Sequence, residues 1–130
     1  MNRSPMTVLV LFSMLLLTIA VMGETSAWPE NVPSRDHEKI NPYRGNADAV
    51  ATGQRLFADH CASCHGKDAH GKGKHPPLNS QRVQQDATDG DLHWLLVNGN
   101  MRRGMPSWAR LPDPQLWQLV SYLKSLHEPQ

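Results

Sequence analysis

Apolar and polar residues along this chain fall into blocks with different periods. Thr7 to Met22, TVLVLFSMLLLTIAVM, is almost wholly apolar and shows no face at all. Trp28 to Asn46, WPENVPSRDHEKINPYRGN, is polar, broken by Pro29, Pro33 and Pro42, and reads as an extended arm. Trp28 and Tyr43 are its aromatic candidates for packing on the folded domain. Helical spacing begins after Asn46, a good N-cap, and runs to about His60, with Ala49, Val50, Gly53, Leu56 and Phe57 on one face. Gly53 is costly there by ~1 kcal/mol relative to alanine, so a close approach by another helix is expected. The stretch CASCHGKDAHGKGKHPPLNS is Gly- and Pro-rich and hence irregular.

A second helix is predicted from Thr88-Asp89. Thr88 and Asp91 stand in capping-box relation, Leu92, Leu95 and Leu96 form the apolar side, and Gly99 is placed as a left-handed cap. After the loop GNMRRGMPSWARLPD, a last helix opens with Pro114 in its first turn. Leu116, Leu119, Val120, Leu123 and Leu126 make its stripe, with Lys124 and His127 set near the negative end of its dipole. No stretch has the period of a strand. The fold class is all-α.

The leading apolar run changes this picture most. Arg3 precedes it, and Glu24-Thr25-Ser26-Ala27 comes after it with small residues suited to a cleavage enzyme. Together these features predict a signal peptide over residues 1–27, cut after Ala27, an arm over 28–45 and a folded domain over 46–130. The protein is then exported, to the periplasm. The alternative is an uncleaved anchor. Sixteen residues rise only about 24 Å as a helix, short of a hydrocarbon layer ~30 Å thick.

Length and composition bound the rest. The chain has 130 residues, 39% hydrophobic and 19% charged, enough for one small soluble domain. A net charge of +1 gives no bulk attraction for nucleic acid, which is not expected as a partner. Two cysteines exclude a disulfide-dense scaffold and a four-thiolate zinc site. The roughly one hundred residues left after cleavage bury little core, and a large apolar cofactor would supplement it.

The two cysteines stand in Cys61-Ala62-Ser63-Cys64-His65, a C-x-x-C-H attachment site for one covalent haem c. Two thiols three positions apart on a turn reach the two vinyl groups of one porphyrin, and His65 beside them supplies an imidazole to the iron. Three other readings compete with it. A thioredoxin-like dithiol needs a βαβ setting that is absent. A zinc site recruiting His60, His65 or His70 lacks its second ligand pair. A disulfide here would close almost no loop. For the sixth ligand, Met101 and Met105 survive signal removal. Met105 is favoured because Gly104 and Pro106 can fix its loop against the haem, and a thioether raises the potential of haem iron. Met101, His93 and His75 stay as alternatives. His37, His60 and His70 read as surface histidines.

CASCHG, PPL, NG-x-x-x-x-GMPSW and LWQLVSYLKSL, in this order, resemble the class I c-type cytochromes over about Asn46 to Leu126. The resemblance implies an all-α fold wrapped around one haem. It also implies a crossing of first and last helices at Gly53 and Phe57 against Tyr122, which accounts for the glycine. It implies a proline carbonyl that accepts the second N–H of His65 and orients the ring, at Pro76, with Pro77 as its neighbour. More narrowly, Asn41-Pro42-Tyr43 and GMPSW are similar to small cytochromes serving periplasmic quinoprotein alcohol dehydrogenases.

With His65 and Met105 both on the iron, no position is left for a substrate. The reading is a non-enzymatic, one-electron carrier between a dehydrogenase donor, such as a quinoprotein, and a cytochrome or oxidase acceptor. The alternatives are a membrane-tethered subunit of a larger oxidoreductase, if residues 7–22 are retained, or a haem enzyme or sensor with a labile distal ligand. Phe57, Leu78, Leu92, Leu95, Trp108 and Leu119 are expected around the porphyrin. Lys67, Lys72, Lys74, Arg102 and Arg103 are placed to steer an acidic partner.

Overall fold

A computed structural model describes Pro29 and residues 31–126. The expected signal segment, Trp28 and His127 lie outside these residues. Among the described residues there are five α-helices: α1 (Ser34–His37), α2 (Ala47–His60), α3 (Ala62–His65), α4 (Asp89–Asn98) and α5 (Asp113–Lys124). A single π turn, Arg82–Asp86, leads into α4, and a 3₁₀ turn, Met101–Arg103, comes after it. Among the described residues there is no strand, only isolated bridges at Lys72–His75 and Asn100–Met105. The chain is all-α.

The N-terminal caps form where their residues predict. Asn46 accepts the backbone N–H of Ala49 at 3.0 Å and opens α2. Thr88 accepts from the Asp91 N–H at 3.1 Å, while Asp91 accepts from the Thr88 N–H at 2.8 Å, completing the capping box of α4. Helices α2 and α5 then cross at Gly53. A Cβ built there would lie 2.0 Å from the Gln118 carbonyl oxygen and 2.8 Å from Tyr122 Cβ, so only glycine lets the helices this close. One turn further on, Phe57 and Tyr122 meet with ring centroids 5.3 Å apart. Phe57, Leu119 and Val120 are fully buried at this crossing, and Leu92, Leu96, Leu116 and Trp117 extend the core toward α4.

Three features depart from expectation. Residues 31–45 do not run as an extended arm: they make the turn α1 and fold back on α4 and α5. Asn41 is buried, donating from Nδ2 to the Trp117 carbonyl (3.1 Å) and Ser121 Oγ (2.9 Å). Arg44 pairs with Asp89 at 2.6 Å, His37 with Asp91 at 2.9 Å, and Thr88 Oγ donates to the His37 carbonyl. Lys124 does sit in the last turn of α5, as expected, and the departure is in its partners: it donates to the carbonyls of Val83, Gln84 and Ala87. It thereby satisfies the π turn and the residue after it, and burial lowers its pKa. Gly99 has φ +69° but ψ −173°, extended rather than left-handed helical. The reason lies in the loop beyond it, which doubles back across the end of α4.

Candidate haem site

The cysteine motif is a continuation of α2. Cys61 N–H donates to the Phe57 carbonyl at 2.8 Å, and the Cys61 carbonyl accepts from the N–H of Cys64 (3.1 Å) and His65 (2.9 Å). This one turn, α3, carries Cys61, Cys64 and His65 on a helical scaffold whose last anchor, Phe57, is core. Cys61 is half-buried and packs against the core, and Cys64 is exposed. Burial, with a smaller contribution from Cys64, pushes the Cys61 thiol up to about 11. Very little thiolate exists at neutral pH, which disfavours a redox-active dithiol.

After His65 the chain forms a compact loop. The N–H of Leu78 donates to the Ala69 carbonyl at 2.8 Å, closing the loop's base, and Ala69 is fully buried at φ +61°. The loop returns the two prolines to the motif. His65 Nδ1 lies 3.0 Å from the carbonyl oxygen of Pro76, not Pro77. A carbonyl only accepts, so Nδ1 carries the proton and Nε2 presents its lone pair. Burial, opposed by this bond and aided by His75, lowers the His65 pKa and keeps the ring neutral. A neutral imidazole with a free Nε2 beside two thiols fits the haem that the motif implies.

The second candidate ligand sits on the loop after α4. Met105 is half-buried and packed against the core, whereas Met101 is 73% exposed on the 3₁₀ turn. His93 is buried but engaged, with Nε2 2.7 Å from Asp113 and its ring stacked 4.0 Å from that of Trp117. Asp113 also accepts from Trp117 Nε1 at 3.1 Å. His75 lies beside His65, with ring centroids 6.0 Å apart. His60, at the end of α2, meets the ring of Trp108 at 5.2 Å and so bridges the cysteine turn and the Met105 loop. Arg110 covers the same indole, 4.4 Å from the ring centroid. Of the expected apolar lining, Phe57, Leu92, Leu95 and Leu119 are buried, and Leu78 and Trp108 border the core. Leu56, Val97 and Leu111 stand with them at that border; Leu56 lies on the apolar face expected for the first helix, whereas Val97 and Leu111 are not distinguished by the sequence. The spacing of these last two does not separate them from exposed apolar residues. No group of three or more His, Cys, Asp or Glu side chains among the described residues is arranged to hold a metal ion.

Residues 48–123 match the family model described as cytochrome c oxidase, cbb3-type, subunit III. The chain belongs to the c-type cytochromes. A cytochrome c550 of Pseudomonas aeruginosa is 33% identical to it, over 77% of this chain and 68% of the relative. A cbb3-type cytochrome c oxidase subunit CcoP of Rhodobacter capsulatus is 32% identical, over 68% of this chain but only 33% of that subunit. Among solved structures, cytochrome cL of the marine methylotroph Methylophaga aminisulfidivorans aligns with a TM-score of 0.56 and 25% identity, covering 65% of this chain and 59% of that one. This cytochrome therefore binds haem c covalently and is an electron carrier rather than an enzyme. Its one C-x-x-C-H makes it monohaem.

Proposed function

We propose that Cys61 and Cys64 form the two thioethers, that His65 Nε2 and Met105 Sδ are the axial ligands, and that the Pro76 carbonyl orients His65. The observation that carries this reading is the 3.0 Å bond from His65 Nδ1 to Pro76, which leaves Nε2 as the ring's free donor atom. The haem, when bound, supplies a one-electron couple. The chain's own residues fix its ligands on two anchored turns and surround it with apolar side chains, which keeps reorganisation small on redox change. Met105 supports the distal role through its half-buried position beside the core, against the exposed Met101.

In this reading residues 1–27 direct export to the periplasm and are removed. The mature protein passes electrons from a dehydrogenase, of which a quinoprotein is one kind, to a cytochrome or oxidase. Lys67, Lys72, Lys74, Arg102 and Arg103 are all exposed and suit docking to an acidic surface. A second reading is favoured by the likeness to a CcoP subunit, of which this chain spans a third: an electron-transfer module of an oxidase complex, tethered through residues 7–22. Among the described residues no helix is long and apolar enough to cross a membrane.

The test begins with mass. The purified protein should exceed its peptide mass by one haem, with colour that resists acid–organic extraction. Its oxidised form should show a weak sulfur-to-iron band in the far red, lost in Met105→Ala and kept in Met101→Ala. Loss of the band in Met101→Ala would move the ligand; ready CO binding by the wild type would replace the carrier by an enzyme or sensor. An N-terminus at Trp28 supports the shuttle, and one that retains residues 7–22 supports the tethered module.

A further inference from the structure

The last carbonyls of α4 accept hydrogen bonds from the Met105 loop. A helix leaves its last carbonyls without intrahelical donors. Here the Trp108 N–H donates to the Leu96 carbonyl at 2.8 Å, and Ser107 Oγ donates to the Val97 carbonyl at 2.5 Å. The same hydroxyl accepts from the Ala109 N–H at 3.2 Å. On the near side of Met105, its N–H and carbonyl both pair with Asn100, at 3.0 and 2.8 Å. Gly99 permits this packing, since a Cβ there would lie 2.6 Å from the Pro106 carbonyl carbon and the Ser107 nitrogen. Met105 is thus held between two fastenings. One is a backbone pair that any residues could make; the other includes a single side-chain hydroxyl.

We infer that Ser107 is a positioning residue for Met105: its hydroxyl ties the outgoing half of the loop to the Val97 carbonyl and so holds the thioether against the iron. The inference rests on the axial role proposed above for Met105. Without the hydroxyl the loop keeps its Asn100 pair and the Trp108–Leu96 bond but loses the tie between them, and the state with sulfur off the iron becomes more populated. An external ligand reads that population directly, because it binds only where Met105 has left. One hydrogen bond of ordinary net strength changes the population roughly fivefold.

The experiment titrates imidazole into the oxidised, haem-loaded protein and monitors the far-red band. Ser107→Ala should bind imidazole about fivefold more tightly than wild type. Ser107→Thr, which keeps the hydroxyl, should stay at the wild-type value, whereas Ser107→Val, with the shape of threonine and no hydroxyl, should behave as alanine does. Asn98→Ala is the control. It removes a side-chain bond at the same helix end, Asn98 Nδ2 to the Trp94 carbonyl at 2.8 Å, without touching the loop, and should leave imidazole affinity unchanged. Equal affinities for the Thr and Val variants would overturn the positioning role while the Met105 assignment stands. An equal rise in Asn98→Ala would reduce the effect to general helix stability and overturn it too. Absence of the far-red band from the wild type would remove the Met105 assignment, and with it this inference.

Discussion

Gly53 decides how α2 and α5, the two longest of the described helices, meet. Its missing Cβ is replaced in space by the backbone of α5, and backbone cannot rotate away as a side chain can. Gly53→Ala should therefore destabilise the holoprotein by about 3 kcal/mol, despite the gain in helix propensity. Denaturant unfolding of both proteins checks this, and an alanine variant as stable as wild type would mean the helices can part cheaply. Ile40 makes the contrasting case. At 68% exposure it touches little, so Ile40→Ala should move stability by no more than about 0.5 kcal/mol.

At the scale of elements, the segment before α2 acts as a clasp on α4 and α5. Asn41 is its centre: the amide serves Trp117 and Ser121, and its Oδ1 accepts from the Tyr43 N–H at 2.9 Å. Asn41→Ala would strand several buried polar groups and should cost about 2 kcal/mol, seen as a lower denaturation midpoint. Asn41→Asp should do no better, because a buried carboxylate cannot donate to the Trp117 carbonyl. Recovery of full stability by Asn41→Asp would show that the donor role is dispensable. This clasp also marks where sequence reading stops. The three long helices, the N-caps at Asn46 and Thr88 and the Gly53 crossing were legible because periodicity and capping are local signals. The cysteine turn and Pro76 were legible because a motif and a family pattern name them. Asn41, by contrast, bonds residues 76 and 80 positions away, and Lys124 reaches back about forty to the π turn, so neither leaves a local trace. Ser107 escapes sequence reading for a related reason. A hydroxyl meeting one helix-end carbonyl depends on how Gly99 turns the chain, which its residue type alone does not specify.

For the whole molecule, the described core is sufficient to cross α2 with α5 but leaves Leu56, Leu78, Val97, Met105, Trp108 and Leu111, among others, only half-covered at its border. Covalent haem is the body that would complete that border. A variant with Cys61→Ala and Cys64→Ala should unfold without a cooperative transition, and calorimetry showing a sharp one would assign the domain a self-sufficient core. Acid should act on the intact protein in two stages. Burial holds His65 below its ordinary 6.5, so the folded state takes up its proton later than the unfolded state does. The unfolded chain then binds more protons as pH falls below 6.5, and stability drains away from there; it is whole above that value. Asp36, held below 3.8 by Lys39 and Arg35, and Asp68, held below it by His70, contribute only in a second, more acid stage, because unfolded carboxylates are ionised until then. Thermal midpoints should accordingly fall between pH 7 and about pH 5, before any carboxylate is titrated. A midpoint that stays level to pH 5 and drops only near 4 would assign the acid sensitivity to the carboxylates and remove His65 from it.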